Sequence, residues 1–297
     1  MKHKILIRGP VFSVSGYGEQ ARLALRSLRT REDLDLYVIP VNWGKTGWMS
    51  SINEERIWID DLILKTANYV NEGGNFDISL QITIPNEWEK LAPINVGYTA
   101  GIETTLVAPA WIEKSRIMDK IVVVSEHSKN VYLNTVYTMT HKQTGETHDV
   151  RCETPIDVVN FAVRPIESDP DYILDLDYDF NFLVVSQWGP RKNMKNTLRW
   201  FLEECYDQEV GLVMKVSMAN NSTPDKYRIM DKVTGIVKDF DRENDDLERK
   251  CKIYVLHGDL AETQMHALYN NPKIKALVSL SHGEGFGLPI FEAAYNG

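Results

Sequence analysis

Short apolar runs alternate with helix-period segments along almost the whole chain, and this alternation constrains the fold more than any other feature. Residues 4–8 (KILIR), 34–39, 77–82, 94–98 and 120–124 (KIVVV) read as strands. Residues 18–28 and 54–70 read as helices; in the first, Ala21, Leu25 and Leu28 share one face. A further helix begins at Ser128. A second series follows, with strands at 180–186, 211–216, 253–256 and 276–280, helices at 194–206, 223–250 and 261–270, and another helix starting at Gly287. Strands joined by helices run parallel, because each helix carries the chain back across the sheet. The expected fold class is therefore α/β, built from βαβ units.

Two interruptions divide this pattern. Residues 135–153 alternate through Val136, Tyr137, Thr138, Met139 and Thr140, pass Thr144-Gly145 and resume at His148. That predicts a β-hairpin inserted before a strand at 157–160. Residues 161–179 carry Pro165, Pro170 and an acidic run at 175–179, which is a linker pattern. At about 150 residues per domain, a chain of 297 residues is expected to form two domains, 1–168 and 169–297. In open parallel sheets, ligands lie beyond the carboxyl ends of the strands, and the crevice between two such domains is their natural site.

Composition narrows the function classes. The chain is 43% hydrophobic and 25% charged, unlike disordered, collagenous or disulfide-rich chains. Lys and Arg total 33 against 42 Asp and Glu, a net charge of −9, which speaks against a nucleic-acid partner. A local basic pocket for one phosphorylated ligand is compatible with that balance. Cys152, Cys205 and Cys251 lie far apart without CxxC spacing, pointing away from zinc or a disulfide framework and toward a reduced, cytoplasmic setting. No apolar run approaches the ~18 residues of a membrane span. The first residues (MKHKILIRGP) have too short an apolar core for a signal peptide. Association with a membrane surface stays open.

The densest chemical signal is Ser281-His282-Gly283-Glu284-Gly285-Phe286-Gly287-Leu288-Pro289-Ile290-Phe291-Glu292. Gly283, Gly285 and Gly287 allow close backbone approach to a ligand. Pro289 suits the first turn of a helix, and amides at a helix start suit an anion. Glu284 and Glu292 supply acceptors for hydroxyl groups. Taken singly, these residues also read as a glycine-rich turn with surface carboxylates; it is their combination that carries the functional reading. A second signal, Gln187-Trp188-Gly189-Pro190-Arg191-Lys192-Asn193, follows the strand at 180–186. Two cations there suit a diphosphate, and Arg binds its oxygens in a bidentate manner. A basic turn capping the next helix has the same composition.

A third signal, Ser15-Gly16-Tyr17-Gly18-Glu19-Gln20-Ala21, can be forced into the GxGxxA dinucleotide fingerprint. Its glycines lie well beyond the strand ending at Arg8, and Pro40-Val41-Asn42 offers no carboxylate for an NAD ribose. An NAD-dependent oxidoreductase thus rests on these glycines alone, and a flexible loop before a helix is the plain alternative. No Asp-x-Asp follows a strand; Asp175-Leu176-Asp177 lies in the linker, so no metal is expected.

The stretch from Glu284 to Glu292 resembles the Glu-x7-Glu signature of retaining, GT-B-fold glycosyltransferases of the glycosyltransferase family 4 (glycosyl transferases group 1) type. In register with it, Arg191-Lys192-Asn193 is similar to that family's Arg-Lys segment, and residues 15–22 to its first glycine loop. Residues 102–111 and 124–128 resemble two central segments. The resemblance implies an α/β, GT-B-like fold: two Rossmann-type domains facing across a cleft. The second domain would be incomplete, since family members usually continue past the motif helix with another strand and further helices.

The implied activity is metal-independent transfer of a sugar from a UDP-, GDP- or ADP-sugar to a glycan, lipid or protein acceptor, with retention of anomeric configuration. No cofactor beyond that donor is implied. Lys192 and Arg191 would stabilise the departing diphosphate, and Glu284 would orient the donor sugar. Glu292 would hold the ribose, with Gly16, Gly18, Gly285, Phe286, Gly287 and Leu288 against the nucleotide sugar. His257 ends a strand where the family places the nucleobase. Two departures stand out: Gln187 replaces a frequent Arg, and Glu103 and Thr104 stand where a sugar-contacting His is common. Trp58 reads as core, while Trp43, Trp48 and His127 are open between core or cap and ligand. A shortened second domain implies an exposed sheet edge and self-association. It also motivates the alternative of a non-catalytic sugar-nucleotide or glycan-binding remnant.

Overall fold

The apolar runs become strands and the amphipathic runs become helices, in a computed structural model that describes residues 2–140 and 144–297. The chain divides into two units, Met1–Ala162 with Glu284–Phe286, and Val163–Gly283 with Gly287–Gly297. The first unit contains β1 (His3–Gly9), α1 (Gly16–Arg29), β2 (Leu34–Pro40), α2 (Glu54–Asn71), β3 (Ile78–Ile82) and β4 (Ile94–Tyr98). It continues through α3 (Pro109–Ser115), β5 (Lys120–Val123), α4 (Glu126–Asn134), β6 (Val136–Thr140), β7 (Thr147–Arg151) and β8 (Ile156–Val158).

Its main sheet has the order β2-β1-β3-β4-β5-β8, parallel throughout. Ala21 and Leu25, the apolar face of α1, are fully buried against Ile7, Val38, Ile59 and Ile82. Each of the leucine, isoleucine and valine side chains contributes about 1.5–3 kcal/mol on burial. The expected hairpin is present as antiparallel β6 and β7, with Val136 opposite Arg151 and Thr140 opposite Thr147. Residues 141–143 of the predicted hairpin lie outside the described residues. Helix α4 starts two residues earlier than Ser128, because the Ser125 side chain caps it by accepting from the Ser128 amide. Helix α3 was not legible as a periodic run; Pro109 in its first turn is its one local signal.

The second unit contains β9 (Asn181–Gln187), α5 (Met194–Cys205), β10 (Gly211–Ser217), α6 (Thr223–Glu243), β11 (Lys252–His257), α7 (Glu262–Tyr269), β12 (Ile274–Leu277) and α8 (Leu288–Asn296). Its sheet has the order β11-β10-β9-β12, also parallel. One face is covered by α5 and α6, where Leu198, Leu202, Val216 and Ile229 are fully buried. The proline-rich and acidic segment before β9 packs onto this unit, with Leu176 buried among Leu183, Val213 and Leu268.

In the second unit, two elements differ from the sequence pattern by more than one residue. Helix α6 stops at Glu243 instead of running to residue 250, because Asn244 leaves helical geometry (φ −129°) and its side chain bonds back to the Phe240 carbonyl. Strand β12 begins at Ile274, where the chain registers against Asn181 of β9; the register shifts between Ile274 and Ala276, and the strand ends at Leu277 opposite Leu183. In this sheet β9 lies between β10 and β12, so the strand order reverses there. In the first unit the reversal falls at β1, between β2 and β3. Ligands of open α/β sheets bind beyond the carboxyl ends at such switch points.

Candidate functional site

The switch point of the second unit brings together two loops that are distant in sequence. After β9, Pro190–Lys192 forms one tight turn, and Asn193 adopts a left-handed conformation (φ 54°) before α5 begins. Asn is among the few residues that tolerate this region. Asn193 is buried, and its Nδ2 donates to the Leu280 carbonyl at 3.1 Å. The His282 amide donates to the Arg191 carbonyl at 2.9 Å, and Arg191 Nη1 donates to the Gly283 carbonyl at 2.6 Å. These three bonds tie the Arg-Lys loop to the glycine-rich loop that follows β12. Arg191 is exposed and Lys192 half-buried at the carboxyl end of the sheet.

The rest of the glycine-rich string is held in two ways. Gly287 is left-handed (φ 82°) at the N-cap of α8, a conformation that favours glycine, with Leu288 and Pro289 opening the helix. Glu292 lies further along α8, and its Oε2 accepts from the Tyr269 hydroxyl of α7 at 2.9 Å. Burial first, and the Glu292 carboxylate second, push the Tyr269 phenol far above its ordinary value, so it stays a donor. Residues Glu284–Phe286 belong to the first unit. There the Phe286 ring packs 4.8 Å from Phe161, and a Cβ on Gly285 would meet the Gly101 carbonyl oxygen at 2.9 Å. Glu284 is half-buried. The two glutamates therefore belong to different units.

His257 ends β11, two strand spacings (roughly 10 Å) from β9. Burial lowers its pKa, and the nearby Lys215 cation lowers it further. Its Nε2 is buried without a hydrogen-bond partner among the described residues. Lys215, on β10, donates from Nζ to the Gly258 carbonyl at 2.6 Å, and burial lowers its pKa. Gly258 has φ 109°, and Asn221 Nδ2 donates to Asp259 Oδ1 at 2.6 Å. Lys215, Asn221, Asp259 and Tyr269 were missed by sequence reasoning, whereas Asn193 stood in the Arg-Lys string without a role of its own. Lys215 alone left a signal, as a cation inside the apolar run GLVMKV.

In the first unit, Gly16 and Gly18 open α1 at the carboxyl end of β1. Ser15 caps the helix, its Oγ accepting from the Gly18 amide at 3.2 Å. A Cβ on Gly18 would sit 1.9 Å from the Ser13 carbonyl oxygen, whereas Gly16 faces open space. Gly18 is thus required by the chain's own close approach. Arg22 pins the same loop, donating from Nη1 to the carbonyls of Val11 at 3.0 Å and Ser13 at 2.9 Å. The Tyr17 ring lies 4.4 Å from Trp43, and burial raises its phenol to about 12. Trp58 is half-buried under Arg29, Trp48 is exposed beside Phe12, and Glu103, Thr104 and His127 are exposed. A cavity of about 450 Å³, lined by Tyr37, Asp61, Lys65 and Tyr69, contains none of the residues singled out by sequence. Among the described residues, no group of His, Cys, Asp or Glu is arranged to hold a metal ion, and no helix is long and apolar enough to cross a membrane.

No protein-family model matches the sequence, and no curated protein is similar to it in sequence. Solved structures are similar in fold. The OtsA apo structure superposes with a TM-score of 0.61 at 10% identity, over 99% of this chain and 82% of that one. A trehalose-6-phosphate protein from E. coli bound with UDP-2-fluoro glucose gives 0.56 at 9% identity, over 99% and 81%. Anabaena Alr3699/HepE in complex with UDP-glucose gives 0.56 at 15% identity, over 98% and 77%. Two parallel-sheet units in tandem, with these neighbours, give the chain a Rossmann-like α/β fold of the GT-B type.

Proposed function

We propose that the chain transfers a sugar from a nucleotide-diphosphate sugar to an acceptor hydroxyl on a glycan, lipid or protein, with retention of anomeric configuration and without a metal ion. The observation that carries this reading is the joining of the Arg191-Lys192 loop to the Ser281–Gly283 loop at the β9–β12 switch point. Cations and a helix start meet there beyond the strand ends, which suits a diphosphate. Similar folds bound to UDP-2-fluoro glucose and UDP-glucose favour a UDP-sugar among the candidate donors.

In this reading Lys192 and Arg191 offset the negative charge that develops on the leaving diphosphate. Glu292 accepts from the ribose hydroxyls, Glu284 from hydroxyls of the donor sugar, and His257 lies by the nucleobase. Gly16, Gly18, Gly285, Phe286, Gly287 and Leu288 bring backbone and ring surface against the donor. The bond from the anomeric carbon to the phosphate oxygen breaks, and a bond from that carbon to the acceptor oxygen forms on the same face. The acceptor proton passes to the departing phosphate. A cytoplasmic setting belongs to this reading, and the three cysteines are free.

The test is calorimetry with UDP, GDP and ADP, followed by incubation with the matching sugar nucleotides in the presence of EDTA. Binding of one diphosphate, with release of it from the donor and an α-linked product from an α-linked donor, is the expected result. Binding without donor turnover would support the non-catalytic alternative instead. No binding of any of the three would overturn the reading.

A further inference from the structure

We infer that Tyr269 is a positioning residue that holds the Glu292 carboxylate in one orientation for a nucleotide ribose, an inference that rests on the function proposed above. The phenol donates to Glu292 Oε2 at 2.9 Å. The contact belongs to a wider grip between the end of α7 and one face of α8. Asn270 Nδ2 donates to Asn296 Oδ1 at 2.9 Å, and Asn296 Nδ2 donates to the Glu292 carbonyl at 2.8 Å. Residues 269 and 270 thus engage residues 292 and 296, which are one helical turn apart. Asn270 is itself anchored, donating to the carbonyl of His266 at 2.9 Å and to Ser168 Oγ at 3.2 Å.

Tyr269 is well suited to this task. Its ring packs in the cluster of Leu176, Leu183, Val213 and Leu268, so its hydroxyl is delivered from a rigid base. Its raised pKa keeps it a donor across the working range. A glutamate has several rotatable bonds and loses much freedom when a ligand fixes it. Fixing it beforehand with a half-buried phenol removes that cost from binding. Nothing in the fold of α7 itself demands a hydroxyl at this position, since phenylalanine would fill the same apolar cluster.

The experiment compares wild type, Tyr269→Phe, Glu292→Gln and the double variant by calorimetry. The probes are whichever of UDP, GDP and ADP binds the wild type most tightly, and its 2′,3′-dideoxy analogue. Tyr269→Phe is expected to weaken the natural nucleotide roughly tenfold, the range for one hydrogen bond to a charged group. The double variant should bind no more weakly than Glu292→Gln, and neither single change should affect the dideoxy analogue. Equal losses for both probes, additive losses in the double variant, or unchanged binding by Tyr269→Phe would overturn the inference while leaving the nucleotide site standing. No binding of any nucleotide by wild type would overturn the proposed function and this inference together. If Tyr269→Phe fails to fold, Glu292→Asp withdraws the carboxylate from the phenol and is read against the same two probes.

Discussion

Arg191 donates from its guanidinium to the carbonyl of Gly283 at 2.6 Å, across a separation of 92 residues. The bond makes Arg191 part of the frame of the glycine-rich loop as well as a cation at the strand ends. Lys192, next to it, is half-buried at the carboxyl end of the sheet. The framing bond of Arg191 can be tested by removing each of the two adjacent cations in turn.

Lys192→Ala is expected to weaken nucleotide-diphosphate binding by about 10- to 100-fold, the loss of one charge-assisted hydrogen bond, with little change in Tm. Arg191→Ala should weaken binding as well, and should also speed amide exchange in residues 281–283, whose loop it pins. Calorimetry and hydrogen exchange on both variants check this. Equal exchange rates in Arg191→Ala and wild type would remove the framing role.

The two glutamates of the motif belong to different units, and their substitutions should separate by ligand. Glu292→Gln should weaken free UDP or GDP and the intact sugar nucleotide alike, because both carry the ribose. Glu284→Gln should weaken only the intact donor. Four titrations, two ligands on two variants, make the comparison, and equal losses in all four would refute the division of roles.

Glu19 supports the α1 loop electrostatically. It pairs with Arg22 and with Arg26, both at 2.8 Å, and Arg26 also reaches Glu55 at 2.5 Å. Burial pushes the Glu19 carboxyl up, but the two guanidinium groups outweigh it and the net displacement is downward. A carboxylate whose folded pKa is depressed adds stability above its unfolded value, about 4.3 for Glu, and loses it as pH falls through the lower folded value. Glu19→Gln is therefore expected to cost about 1.5–3 kcal/mol near neutral pH. The gap in Tm between variant and wild type should close below pH ~4. A gap that stays constant from pH 7 to pH 3 would show that the cost is not ionic.

Gly18→Ala tests whether the first glycine loop is a device of packing. The added Cβ would fall 1.9 Å from the Ser13 carbonyl oxygen, a backbone atom held by Arg22, so the loop must move. Overpacking of this kind costs about 1–3 kcal/mol. Gly16→Ala meets open space at its Cβ and should leave Tm within ~0.5 kcal/mol of wild type in equivalent stability. Equal destabilisation by the two would contradict the packing account.

The order of elements was legible in the sequence because it depends on local burial. Strands buried on both faces read as apolar runs, as in KILIR and KIVVV. Helix α1 shows its buried face through Ala21 and Leu25 at helical spacing. The Arg-Lys and glycine-rich strings were legible as well, since cations and glycines stand out against such runs. Which strand lies beside which was not legible, because pairing depends on contacts between residues far apart in the chain. The placement of β12 against β9 decided that Arg191 meets Gly283 and that Asn193 meets Leu280. The same holds for Tyr269, an unremarkable aromatic in a helical pattern until α8 packs beside α7 and sets its hydroxyl on Glu292. Period and composition specify what each segment becomes, whereas side-chain geometry at the strand ends exists only once the sheet has ordered its strands.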